Sequence, residues 1–374
     1  MADRRDDSAG LARRHENLDG FQPIATQQRD DVALPDSRGV DHPGRPAARP
    51  VIKIAIRQPP VTRWINQRST LGGQAPASSG PVAHPVHRSL VSAVFGIHRH
   101  QEFQQNDRMK YNGLVDIGVN LTHRRFDDDR AAAIERAAAA GVTSMILTGV
   151  SLEESRAAVA MAAEHPDAMR ATVGVHPHHA DEWSEDSAPL LEALSEAPAA
   201  AAIGETGLDY FRDFSPRPVQ RHAFAAQLEL AARLGRPAFL HQRDAEADFL
   251  AIMKEYRPHL PAAVLHCFTG DQGLLEGCLE LDLHIGVTGW VTDQRRGGAL
   301  RECLPNIPDD RLMIETDAPF LLPRGLPAKP ANRRNEPAFL PHVLEAVARL
   351  RGGDPDALGR MTASTSRKFF GLPQ

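Results

Sequence analysis

The chain has 374 residues, 42% of them hydrophobic and 24% charged, with a net charge of −5 and three cysteines. That balance excludes a fibrous or wholly disordered chain, and Cys267, Cys278 and Cys303, an odd number with no CxxC spacing, indicate neither a disulfide framework nor a thiolate metal site. No run approaches the roughly 18 to 20 uncharged apolar residues that cross a bilayer, so a soluble, cytoplasmic protein with no membrane partner is expected.

Residues 1–108 differ from the rest. They hold 15 Lys and Arg against 11 Asp and Glu, whereas residues 109–374 hold 28 against 37, giving net charges of +4 and −9. From His42 to Gln101 there are eight basic residues and no acidic one, interspersed with Pro, Gly and Ser and without a period of 2 or 3.6. Such a stretch buries too little apolar surface to offset its ordering entropy, and disorder is expected. Met1–Asp7 lacks the apolar core of a secretory signal, and its acids argue against a transit peptide. The stretch reads either as an arm for nucleic acid or as an extension created by a misplaced start, with Met109 the natural first residue.

From Met109 onward, eight short apolar runs recur at intervals of very roughly 30 residues, the length of a βα repeat. They are Leu114–Val119, Met145–Thr148, Ala171–Val175, Ala200–Gly204, Pro237–Leu240, Ala262–Leu265, His284–Val287 and Arg311–Ile314. Helical patterns lie between them. Ser151 and Glu154 have capping-box spacing and open a helix predicted to stop near His165, before Pro166. A helix over His222–Leu234 is predicted to end at Gly235, and another spans Asp244–Tyr256. The alternation predicts an α/β fold, a (β/α)8 TIM barrel, over residues 109–374.

Four of the runs end at or near residues that ligate metals: Glu205, His241, His266 and Asp317. In such a barrel, groups distant in sequence meet at the C-terminal strand ends, so these four are expected to surround one opening. Cys267 is expected to turn away from it as a packed thiol.

Seven segments in order resemble the TatD family of metal-dependent DNases, and within it the bacterial branch. They are Asp116–Thr122, Gly174–His178, Gly204–Asp209, His241–Asp244, Leu265–Gly270, Glu315–Pro319 and Arg334–Pro337, with Ile285–Trp290 as a further detail. The resemblance implies a barrel of the metal-dependent hydrolase type and a 3′-5′ exonuclease acting on single-stranded DNA and possibly RNA, with a role in DNA repair or turnover. It makes Glu205, His241, His266 and Asp317 the metal site, with Asp317 taking a proton from the attacking water. Mixed imidazole and carboxylate ligands suit Mn²⁺ or Zn²⁺, and Mg²⁺, the expected ion, when waters complete the shell.

Where much of the family has a His-x-His pair, this chain has Asn120–Leu121–Thr122, so Asn120 and Thr122 are expected to form only a weak second-metal position. His176, His178, Arg243 and Arg334 are the expected substrate contacts, the arginines as bidentate phosphate forks. Tyr210, Phe211 and Phe214 are candidates for stacking on bases. Glu315, on the strand face of Asp317, is expected to be buried and paired with a base. A monomer is expected. Two other functions fit the same residues: ester hydrolysis on misacylated tRNA by the same metal site, and non-catalytic nucleic-acid binding through the basic stretch.

Overall fold

The computed structural model describes Lys110–Pro373; the proposed extension, its boundary at Met109 and its nucleic-acid-arm reading lie outside the described residues. Eight strands form one parallel sheet in the order β1 to β8: Leu114–Val119, Val142–Leu147, Met169–Val173, Ala200–Asp209, Ala238–Arg243, Ala263–Leu265, His284–Val287 and Leu312–Ile314. Every ladder is parallel. Helices α1 (Arg130–Ala139), α2 (Leu152–Glu164), α3 (Ser187–Ser195), α4 (Arg217–Leu234), α5 (Glu246–Tyr256), α6 (Gln272–Glu280) and α7 (Gly298–Cys303) fall one to each interval between strands. Two more, α8 (Leu340–Arg351) and α9 (Pro355–Phe370), follow β8.

Apolar residues on both faces of the strands account for this architecture. One face joins Leu114, Val119, Met145, Leu147, Ile203 and Leu240 to the apolar stripes of the helices, as in Phe224 and Leu228 of α4. The other builds a smaller interior cluster of Val115, Ile117, Ile146, Phe239, Val264 and Met313, to which α9 contributes Ala363 and Phe370. The helix ends follow local chemistry. Ser151 caps α2 by accepting from the Glu154 N–H, and α4 stops at Gly235 in the left-handed conformation (φ +60°).

The predicted strands are all present, with two boundary corrections that concern the site. β4 continues past Gly204 to Asp209, and β5 past Leu240 to Arg243, so Glu205 and His241 lie within strands and do not end them. Glycine on both sides of Glu205 reads in sequence as a strand terminator; here it permits a bulge and close passage of the neighbouring strand.

β1 and β8 close the barrel. Val119 bridges Ala318, Asn120 N–H donates to Ala318 C=O at 2.7 Å, and Asp317 N–H donates to Gly118 C=O at 2.9 Å. Below this seam the buried Asp116 carboxyl accepts from Thr316 N–H at 2.9 Å and Thr316 Oγ1 at 2.5 Å. Burial pushes Asp116 up to about 8, against the Thr316 hydrogen bonds and with the help of the Glu315 charge. A carboxyl raised in the folded state stabilises most at low pH, and its contribution is lost as pH climbs from the ordinary carboxylate range through about 8. Asp116→Asn, which keeps an acceptor and a donor facing Thr316, is therefore expected to flatten that dependence. Urea midpoints at pH 5 and pH 8 check it: the wild type should lose more stability over that interval than the variant, and parallel losses would contradict the assignment.

Candidate metal centre and catalytic cavity

The site begins with the bulge in β4. Ile203 pairs with Ala238 and Thr206 with Leu240, so three steps along β4 match two along β5. Gly204 sits there at φ +139°, and a Cβ on it would fall 2.1 Å from the Phe239 carbonyl oxygen, which leaves no room for a side chain. Glu205 follows, 5% exposed, its N–H donating to Gly149 C=O at 2.8 Å.

Three imidazoles meet one oxygen of this carboxylate. His266 Nε2 lies 2.7 Å from Glu205 Oε1, His241 Nδ1 2.9 Å and His176 Nε2 3.2 Å. His241 stands on β5, His176 follows β3 and His266 follows β6, so an oxygen carried on β4 gathers groups from the strands around it. Burial opposes the Glu205 charge, but the fields of His266 and His176 and the hydrogen bonds from His176 and His241 hold it well below the usual carboxylate range. Burial likewise opposes charge on His266 and His241, yet their carboxylate neighbours raise both. His176 is governed by burial and drops to about 4, despite Glu205, so it is neutral, with Nδ1 accepting from the His178 N–H at 3.1 Å and Nε2 facing Glu205.

A carboxylate oxygen has two lone pairs, and three nitrogen neighbours exceed what hydrogen bonding satisfies. The ligand atoms of His176, Glu205 and His241 all lie within 4.8 Å of one another, and buried His241 Nε2 makes no hydrogen bond, lying 3.4 Å from Asp209 Oδ2. Nitrogen and carboxylate donors packed this closely fit a divalent cation. Behind them, the fully buried Glu315 holds His266 Nδ1 at 3.3 Å and accepts from Cys267 N–H at 2.5 Å, the carboxylate–histidine support that orients a metal-binding imidazole.

These residues line a cavity of about 520 Å³ that also contains His178, Arg243, Asn120 and Asp317. Asp317, with φ +55°, lies outside the mutually close trio and accepts from Asn120 Nδ2 at 3.2 Å. Burial pushes its carboxyl up to about 7, with Glu205 and Glu315 adding to the effect and His266 opposing it. Arg243 stacks its guanidinium 4.2 Å from the centre of the Phe211 ring, and His178 packs 4.7 Å from that of Phe214. Phe211 and Phe214 are 53% and 66% exposed, which leaves both rings open to a ligand; Tyr210 instead donates its hydroxyl to Asp248 at 2.6 Å.

Asp209 closes the Gly204–Asp209 segment and was assigned no role from sequence. It lies at the end of β4, four residues after Glu205, and its Oδ2 is 2.8 Å from His178 Nε2 and 3.4 Å from His241 Nε2. Burial opposes its charge, but hydrogen bonds from His178 and the Arg212 N–H, with the nearby His241 imidazole, hold it far below the ordinary range. Even spacing from Glu205 along one strand face was the available signal.

Three expectations change. Arg334 does not enter the cavity: its fork grips Asp129 at 2.6 and 2.8 Å and Glu336 at 2.7 Å, and Nη1 also donates to Arg125 C=O, so the fork is committed to carboxylates outside the cavity. Thr122 lines an adjoining groove with Ser151 and Glu154, leaving Asn120 alone of that pair beside Asp317. Cys267 lines the cavity rather than turning away, because its φ of +47° breaks the strand alternation; burial raises its thiol well above the ordinary range, so it is no ready nucleophile.

The model of a family described as TatD related DNase matches residues 115–371. The chain belongs to this family. A TatD relative from Erwinia billingiae (strain Eb661), named 3′-5′ ssDNA/RNA exonuclease TatD, is 52% identical over 260 residues, covering 70% of this chain and 100% of its own length. Its namesake from Edwardsiella piscicida is 51% identical over 259 residues, 69% of this chain and 100% of that one. Among solved structures, YJJV, a TatD homologue from Escherichia coli K12, superposes with a TM-score of 0.64 at 29% identity, over 70% of this chain and 99% of that one. The TatD barrel therefore accounts for the described residues, and none of their helices is long and apolar enough to cross a membrane.

Two substitutions separate site from scaffold. Glu205→Ala removes the shared oxygen and should weaken ion binding by at least the roughly 10- to 100-fold that loss of an outer-shell partner costs, with little change in Tm. Arg334→Ala should do the reverse. It leaves Glu336, 10% exposed in its side chain, and Asp129, 35% exposed, to Arg136 alone, for a loss of about 2 kcal/mol, short of breaking a fully buried pair, with ion binding unchanged. Ion content after dialysis and thermal melts check both, and a stable, metal-depleted Arg334→Ala protein would contradict the division.

Proposed function

We propose that this protein is a metal-dependent hydrolase of phosphodiester bonds, a 3′-5′ exonuclease on single-stranded DNA that also accepts RNA. The observation that carries this reading is the gathering of His176, His241 and His266 on one buried Glu205 oxygen, in a cavity that also presents Asp317 and Arg243. The names of relatives matched over their whole length support the polarity and the substrate. Glu205, His176 and His241 would hold the ion, with His266 at its edge and Asp317 across the cavity. A divalent ion there supplies Lewis-acid polarisation of a phosphoryl oxygen and makes water easier to deprotonate. Three imidazoles favour Mn²⁺ or Zn²⁺ over the Mg²⁺ expected from two, since Mg²⁺ keeps its waters and prefers oxygen.

The chain's own groups do the rest. Asp317, buried and near neutrality, takes the proton of the attacking water, and Asn120 fixes the rotamer that presents its free oxygen. Arg243, cushioned on Phe211, offers its fork to the scissile phosphate. Phe211 and Phe214 stack on bases, which suits a strand read without regard to sequence. His178 is held toward the cavity by Asp209.

Asp317→Asn keeps the side chain's shape and removes the base. Timed digestion of 3′- and 5′-end-labelled single-stranded DNA should show the wild type releasing the 3′ label first and the variant slowed roughly 10²-fold or more in kcat, with KM little changed. Near-normal turnover would remove Asp317 from the proton step, and a wild type that leaves both labels intact would overturn the nuclease reading.

A further inference from the structure

A second cavity of about 390 Å³ opens beside the first, between the turn after β7 and the loop after β8. Trp290 and Leu321 line both. Its wall carries Arg296, Arg324, Lys329 and Arg333 against the single carboxylate of Asp293. Asp293 Oδ2 binds Arg296 Nη2 at 2.8 Å and lies 3.8 Å from Arg324 Nε, while Lys329 and Arg333 are exposed and form no ion pair among the described residues. Four cations around one carboxylate repel each other unless an anion joins them. They stand in a region of the chain whose net charge is −9, so the concentration is local.

Trp290, 9% exposed, links the two cavities mechanically. Arg296 packs 4.3 Å from its ring centre on the basic side, and Arg243, from the catalytic cavity, lies 5.7 Å from it. An indole held against both guanidiniums sets their spacing across the wall the two cavities share. Loops after the seventh and eighth strands are a common place for phosphate to bind in barrels of this kind.

We propose that this basic cavity is the subsite for the phosphates of the strand on the 5′ side of the cleaved bond, with Lys329 and Arg333 as its free cations and Trp290 spacing it from the catalytic cavity. The proposal rests on the exonuclease reading and adds where the uncut strand runs. A strand longer than two nucleotides would be gripped in both cavities, whereas a dinucleotide would fill the catalytic one only. Affinity would therefore grow with length and fall with salt, although the surrounding surface is acidic.

The test is the full chain carrying Lys329→Gln and Arg333→Gln together; both side chains are exposed and neither touches the catalytic cavity. KM and kcat are measured with a thymidine oligomer of about 15 nucleotides and with the dinucleotide, across a salt series. For the oligomer, KM should rise roughly tenfold at low salt and the slope of log KM against log salt should flatten by about 1.4, or 0.7 for each lost contact on a single strand. Dinucleotide kinetics and oligomer kcat should not change. Equal KM and slope in wild type and variant, with the oligomer still digested, would overturn the subsite and leave the nuclease reading intact. An equal rise in KM for the dinucleotide would also overturn it, as a general field effect. A wild type that digests neither substrate would overturn the nuclease reading and the subsite with it.

Discussion

Glu205 Oε1 faces three imidazole nitrogens at 2.7 to 3.2 Å in a buried pocket, and the remainder of the site is arranged around that crowding. Hydrogen bonds alone leave it frustrated, since one oxygen cannot serve three donors and a buried unpaired nitrogen is costly. A divalent cation removes the conflict by drawing on nitrogen lone pairs and the carboxylate together. The neutrality of His176 and the orphaned His241 Nε2 are the marks of a donor set prepared for such an ion.

Holding that arrangement is the work of the barrel. The bulge at Gly204 sets Glu205 within β4, and no other residue fits where Gly204 passes the Phe239 carbonyl. Glu315 reaches His266 and the Cys267 N–H from β8, joining the strand that leads to Asp317 to the imidazole from β6. Phe239 stacks on His266 at 4.6 Å and so ties the interior cluster to the site. Stiff parallel strands, each buried on both faces, keep these groups in register without a substrate to order them.

The eight strands were legible because a parallel barrel needs short continuous apolar runs, and runs such as Leu312–Ile314 are apolar throughout. The convergence of Glu205, His241 and His266 was legible for a related reason, since the C-terminal parts of parallel strands open on one face. What escaped is contact that has no local signature. Arg334 finds Asp129 from 205 residues away, and nothing in either segment distinguishes that fork from one free for phosphate. Gly204 and Gly207 resemble a strand end, but they accommodate the close approach of Phe239 and His241 while β4 continues to Asp209. Cys267 defies alternation through one positive φ, which sequence does not announce.

The metal centre is the claim on which the chemistry rests, and it can be observed without any assay of activity. Crystals of the full chain soaked in Mn²⁺ and measured near the manganese absorption edge should show an anomalous peak within bonding distance of Glu205 and of the imidazoles of His176 and His241. No peak at that position under saturating Mn²⁺, or a peak only at exposed carboxylates elsewhere on the barrel, would contradict the account.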